Sequence, residues 1–198
     1  MFRYFIAYKP FKTLSQFTSA QNKKTLADFF SVPRNVYPVG RLDEDSEGLL
    51  ILTNDAKLNH RLLDPQFEHE REYWVQVEGE ITQEAVMQLQ QGLQLNIKGK
   101  TEHTKACIVH VFDTAPEVPE RFPPVRYRTD IPTSWIKMIL KEGKNRQVRK
   151  MTARVGFPTL RLIRYRIERI ELKNMQPATL IELSHKSIYK KLFHAKDL

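Results

Sequence analysis

The chain of 198 residues holds one cysteine, Cys107, so no disulfide can close within it, as suits a reducing cytoplasm. Its six histidines lie far apart, and Cys107 and His110 have no second pair beside them, so the ligand spacing of a metal site is missing. There is no Walker lysine loop and no GxGxxG turn, which argues against a bound nucleotide cofactor. Long hydrophobic runs are absent too. The opening stretch Met1-Phe2-Arg3-Tyr4-Phe5-Ile6 is broken early by polar residues and reaches Lys9-Pro10, so it reads as neither a signal peptide nor a membrane span. No internal repeat and no low-complexity tract occurs.

What is there is an apolar core and a localised charge. Apolar residues make up 41% of the chain, enough for a packed interior in one ordinary domain or two small subdomains. The net charge is +9 and the pI about 9.6. Residues 137–169 hold eleven basic side chains, among them Arg146, Arg149, Lys150, Arg154 and Arg161, against only Glu142 and Glu168. The remaining residues are electrically balanced, so this segment carries the whole excess. That is the footprint of a polyphosphate partner. A membrane surface would be the competing anion, but no long amphipathic helix with an aromatic face accompanies the charge.

Strand patterns fall at 2–9, 48–53, 71–78, 105–112, 134–141, 159–167 and 180–183. Helix signals lie between them. Thr25 caps a short helix, Asp55 one that Pro65 stops, and Thr82 one with Ala85, Val86 and Leu89 on a single side. Asn145 is expected to cap a helix through Val155, and another spans 187–193. Residues 113–130 have no periodicity and contain Pro116, Pro119, Pro123 and Pro124; a loop this long is functional or disordered. Strands interspersed with short helices predict an α+β fold, a mixed and mostly antiparallel sheet flanked by helices.

The most telling stretch is Gly40-Arg41-Leu42-Asp43, followed by the apolar run Leu49–Leu52. Glycine permits a sharp turn, and the run fits a buried strand, so an acid is anchored to a rigid support. Asp43, Glu44, Asp45 and Glu47 read most simply as a solvated acidic loop. Calcium is a sharper rival, because Asp43, Asp45, Glu47 and Gly48 fall at the first, third, fifth and sixth positions of an EF-hand-like loop. However, the position that needs a bidentate Glu is Asn54, and a strand follows where a helix should.

Gly40-Arg41-Leu42-Asp43 with Gly48-Leu49-Leu50 resembles the active-site motif of the pseudouridine synthases. Other stretches match in order: Lys9-Pro10, Tyr73 within Arg71–Glu78, Asn145–Met151, and Leu162 within Leu160–Arg164. The spellings are those of the RsuA-like branch. Gln16-Phe17-Thr18 and Ile131–Trp135 are most similar to its type that modifies large-subunit ribosomal RNA. The resemblance implies one catalytic domain over 1–198, two subdomains sharing a central cleft, and no S4 RNA-binding domain before it. It implies no cofactor, because the reaction moves one glycosidic bond from N1 to C5 of uridine. It also implies a monomer working in the cytoplasm on a base flipped from its stack. Asp43 is then the catalytic aspartate and Arg149 its basic partner. Tyr73 stacks on the base and offers its phenol to a proton, Leu162 packs beneath Tyr73, and Arg41 approaches the RNA where the base has left. From the charge pattern, Arg146, Lys150, Arg154 and Arg161 are expected at phosphates.

Two departures stand out: Glu168 occupies a position where relatives tend to have Gly, and Lys9-Pro10 lacks its usual following Gly. By pattern alone Tyr73 and Leu162 are core residues and Arg149 a phosphate contact or solvated charge; the joint, ordered match outweighs those readings. The runner-up is a non-catalytic RNA-binding module, such as a ribosome-assembly factor, but a pure binder has no use for an acid amid phosphates. A nuclease is weaker still, since no His pair or carboxylate cluster suited to a metal accompanies Asp43.

Overall fold

A computed structural model describes residues 1–19, 21–126 and 128–193. In chain order the first elements are β1 (Tyr4–Lys9), β2 (Tyr37–Pro38), β3 (Glu47–Thr53) and helix α1 (Ala56–Leu63). Then come β4 (Arg71–Glu78), α2 (Gln83–Gln91), β5 (Gln94–Ile97), β6 (Lys100–His103), β7 (Ile108–Val111), β8 (Thr133–Leu140) and α3 (Gln147–Arg154). The last are β9 (Thr159–Ile167), β10 (Ile170–Glu171), β11 (Leu180–Leu183) and α4 (His185–Leu192). This is the α+β architecture that the interspersed patterns predict. The chain forms two compact units, Met1–His69 with Arg164 onward, and Glu70–Ile163.

In the first unit the strand order is β11-β1-β3 followed by the second half of β9. Strand β1 pairs antiparallel with both neighbours: Tyr4 lies opposite Leu183 on one side and Thr53 on the other. Alternating sequence normally accompanies one wet face, yet all six residues of β1 are buried. Every residue of β3 is buried as well, Glu47 included. Gly48 explains how β3 fits. Its φ is +113°, and a Cβ there would lie 2.4 Å from the Arg164 carbonyl oxygen, so only glycine lets the two backbones approach. Asp55 caps α1 as expected, its carboxylate accepting from the Lys57 and Leu58 amides, while Tyr4 and Tyr189 donate to its other oxygen. Around these strands Phe5, Ala7, Leu26, Phe30, Val36, Leu50 and Leu52 form a core.

Glu168, the departure noted above, sits between β9 and β10 at φ +48°. A left-handed residue there is why glycine suits the position. Its carboxylate meets the Nδ1 of buried His69 at 2.9 Å, a side-chain contact that glycine could not supply.

In the second unit the order is the first half of β9, then β4-β8-β7. β4 and β8 pair antiparallel along their full length, Arg71 opposite Leu140 and Glu78 opposite Thr133. Thr82 caps α2, whose Ala85, Val86 and Leu89 turn inward, as its spacing predicts. The strand expected over 105–112 is shorter, and the β5–β6 hairpin ahead of it has no clear period in the sequence. The cap of α3 also differs from expectation. Arg146, not Asn145, occupies the cap position at φ +50°, and its side chain makes no capping hydrogen bond. Gln147 supplies the local closure instead, its side-chain oxygen accepting from the Lys144 amide at 3.0 Å.

Candidate active site

In the first unit the Gly40–Asp43 turn leads through residues 44–46 into β3. Gly40 adopts φ +69°, and Leu42, between Arg41 and Asp43, is buried at 7% exposure. Arg41 is exposed and Asp43 half-buried. The turn closes through the Ser46 amide, which donates to the Asp43 carbonyl at 3.0 Å.

A bracket formed by residues 9–19 and 21–25 supports this turn. The hydroxyl of buried Ser15 donates to the Leu42 carbonyl at 2.7 Å and accepts from the Leu42 amide at 3.0 Å. One side chain thus grips both peptide groups of the residue before Asp43. The bracket is itself fixed. The Leu14 amide donates to Lys24, the Leu26 amide to Gln16, and Leu26 is fully buried. Lys23 reaches Glu44 at 2.8 Å. Lys9 lies beneath, also fully buried, its ammonium donating to the Pro10 and Thr13 carbonyls at 2.9 and 2.7 Å. Burial pulls the Lys9 pKa down to about 7, Arg164 adds to that, and Glu47, Asp45 and Asp43 oppose it. Arg164 is buried too and donates from Nε to the Leu49 carbonyl at 2.8 Å.

In the second unit Tyr73 stands half-buried on β4 and packs against the apolar cluster that contains Val75, Val77, Met151 and Leu162. Arg149 lies in α3, half-buried, with one guanidinium nitrogen 3.4 Å from the Thr159 carbonyl. Lys150 donates to the Asn96 carbonyl at 2.9 Å, tying α3 to the β5–β6 hairpin. Arg146 and Arg154 are exposed. Arg161 differs from the surface placement that a phosphate contact requires. It is 6% exposed, and its guanidinium donates to the Pro119 carbonyl at 2.8 Å. Among the described residues no group of His, Cys, Asp and Glu could hold a metal, and no helix is long and apolar enough to cross a membrane.

The sequence profile described as RNA pseudouridylate synthase matches residues 3–154, from β1 through α3. The chain belongs to the RNA pseudouridylate synthase family. As a pseudouridine synthase it is an isomerase acting on uridine in RNA. It is 47% identical over 175 residues to the ribosomal large subunit pseudouridine synthase E of Vibrio parahaemolyticus, covering 88% of this chain and 71% of that protein. With the synthase E of Xanthomonas axonopodis pv. citri it shares 47% identity over 171 residues, 85% of this chain and 87% of the relative. The synthase B of Bacillus subtilis is 32% identical over 91% of this chain and 68% of its own. A crystal structure of a pseudouridylate synthase superposes with a TM-score of 0.79 at 23% identity, covering 98% of this chain and 74% of that one, a likeness of fold. For this pseudouridine synthase the motif reading pointed to Asp43 but not to Ser15. The 27-residue separation between Ser15 and Leu42 leaves no local pattern to notice.

Proposed function

We propose that this pseudouridine synthase converts a specific uridine of large-subunit ribosomal RNA to pseudouridine in the cytoplasm, acting as a monomer. The carrying observation is 47% identity over most of the chain to proteins named for that reaction on the large subunit. The braced turn supports Asp43 as the group that acts at the scissile bond. In the reaction the N1–C1′ bond breaks, the base turns, and C1′ bonds to C5. The C5 proton leaves and N1 gains one, so nothing is consumed and no redox or group-transfer cofactor is required. The Asp43 carboxylate acts beside the ribose or the base, either by covalent attack or by directing a glycal-type path. From the family resemblance, Arg149 is assigned as the basic partner of that carboxylate. Tyr73 is assigned as the platform for the flipped base, with Leu162 in the cluster under it, and Arg41 as an RNA contact beside Asp43. Arg146, Lys150 and Arg154 are assigned to phosphate; Arg161, by its burial, supports the loop that carries Pro119.

Asp43→Asn should abolish pseudouridine formation in large-subunit RNA and leave RNA affinity within a few-fold, read by pseudouridine mapping and by direct binding. Substantial turnover in this variant would remove Asp43 from the chemistry.

A further inference from the structure

The stretch between β7 and β8 lies in the second unit, and two arginines give it a shape. Arg121 donates from Nε to the Pro123 carbonyl and from Nη2 to the Pro124 carbonyl, both at 2.9 Å, and a third nitrogen lies 3.4 Å from the Leu160 carbonyl. Arg161 holds the Pro119 carbonyl from β9. On this braced turn Phe122 is 90% exposed. Burying a phenylalanine is favourable by about 1.5–3 kcal/mol, yet here the neighbouring contacts hold the ring out in water.

The same loop walls a cavity of about 210 Å³. Val125 and Leu160 give it apolar sides, and Gln76 and Thr133, joined by a 3.2 Å hydrogen bond, give it amide and hydroxyl groups. Arg126 and Arg128 stand at its edge. Glu78 is paired with Arg128 at 3.1 Å, so the acid at the cavity is neutralised and exposed Arg126 adds a positive charge. An outward aromatic ring, guanidiniums and a hydrogen-bonding hollow are the components with which proteins take hold of unpaired nucleotides.

We propose that Phe122 and the cavity walled by the same loop bind an unpaired nucleotide segment of the RNA substrate, outside the uridine that reacts. One base stacks on Phe122, another base of the segment enters the cavity, and Arg126 meets a phosphate of the same segment. The inference rests on the RNA-substrate reading above and adds a second point of RNA recognition to it. A protein partner is the other occupant an exposed ring could have; the positive charge at the cavity favours RNA.

The test measures binding of the full chain to a short single-stranded uridine-rich RNA and to a large-subunit RNA transcript, without reference to turnover. Phe122→Ala should weaken both about five- to hundred-fold, the loss expected for one stacked base, while Phe122→Trp should restore affinity. Because the ring is exposed, circular dichroism and melting should be unchanged. Arg126→Gln should lower the slope of log affinity against log salt by about 0.7–0.9. Unchanged RNA affinity in both Phe122→Ala and Arg126→Gln overturns the site. So does a Phe122→Ala defect confined to binding of a ribosomal protein. Failure of the substrate reading looks different: wild type would form no pseudouridine in large-subunit RNA whatever the Phe122 variants bind.

Discussion

The hydroxyl of Ser15 occupies both hydrogen-bonding groups of Leu42. Removing it leaves a buried amide and carbonyl without that partner, at about 1–3 kcal/mol for such a loss. Ser15→Ala should therefore lower kcat roughly tenfold or more, a loss of about 1.4 kcal/mol or more at the transition state, with RNA affinity nearly unchanged. Ser15→Thr, which keeps the hydroxyl, should recover part of it. Single-turnover rates and binding curves measured side by side check this, and equal losses in both would make Ser15 a general stabiliser only. Lys9 makes a pH prediction. Its pKa of about 7 lies below the ordinary 10.5, so the folded protein releases this proton first. Between those two pH values the unfolded chain binds more protons, and stability rises with pH from this group; below about pH 7 the contribution is flat. Denaturant unfolding at pH 7 and 9 should show wild type gaining relative to Lys9→Met as pH increases.

At the scale of the element, local chemistry was readable and distant chemistry was not. Asp55 and Thr82 announce their helices because a cap is satisfied within three residues. At the start of α3, Asn145 is the better capper by type, but Gln147 reaches back to the Lys144 amide and a left-handed Arg146 takes the cap position. The β5–β6 hairpin has only four residues a side, with Leu95 and Ile97 its buried pair, too few to separate from a loop by period alone. Arg161 and Arg164 looked like surface charge because a count of basic residues does not say which carbonyls will claim them. The Gly40–Asp43 turn was legible in the sequence as a turn; the contacts that hold it were not, since they come from the distant Ser15 and Lys23. Glu168 tests how such an element tolerates strain. Glu168→Gly removes a left-handed non-glycine residue, worth about 1–2 kcal/mol, but also removes the contact with buried His69. Glu168→Ala loses that contact and keeps the strain, so it should melt below both wild type and Glu168→Gly. Thermal unfolding of the three proteins reads the order directly.

At the scale of the whole molecule, the +9 excess divides into charge that faces water and charge that holds the fold. Exposed Arg154 belongs to the first kind, and Arg161 and Arg164, at 6% and 5% exposure, to the second. Arg154→Gln should lower the salt slope of RNA binding by about 0.7–0.9 and leave the melting temperature alone. Arg161→Gln should do the reverse, lowering the melting temperature with little change in slope. Salt titrations with calorimetry of both variants separate the two kinds; a slope change in Arg161→Gln equal to that in Arg154→Gln would return Arg161 to the RNA surface. The division into units also sets an order of events at birth. Residues 70–163 are one continuous stretch, whereas β1 waits for β11, its partner from Tyr4 opposite Leu183. Domains assemble as their chain emerges, so the second unit can be complete while the first still lacks a strand. Asp43 is translated early and acquires its finished scaffold late, which makes a premature stop anywhere before residue 180 a loss for a site more than a hundred residues upstream.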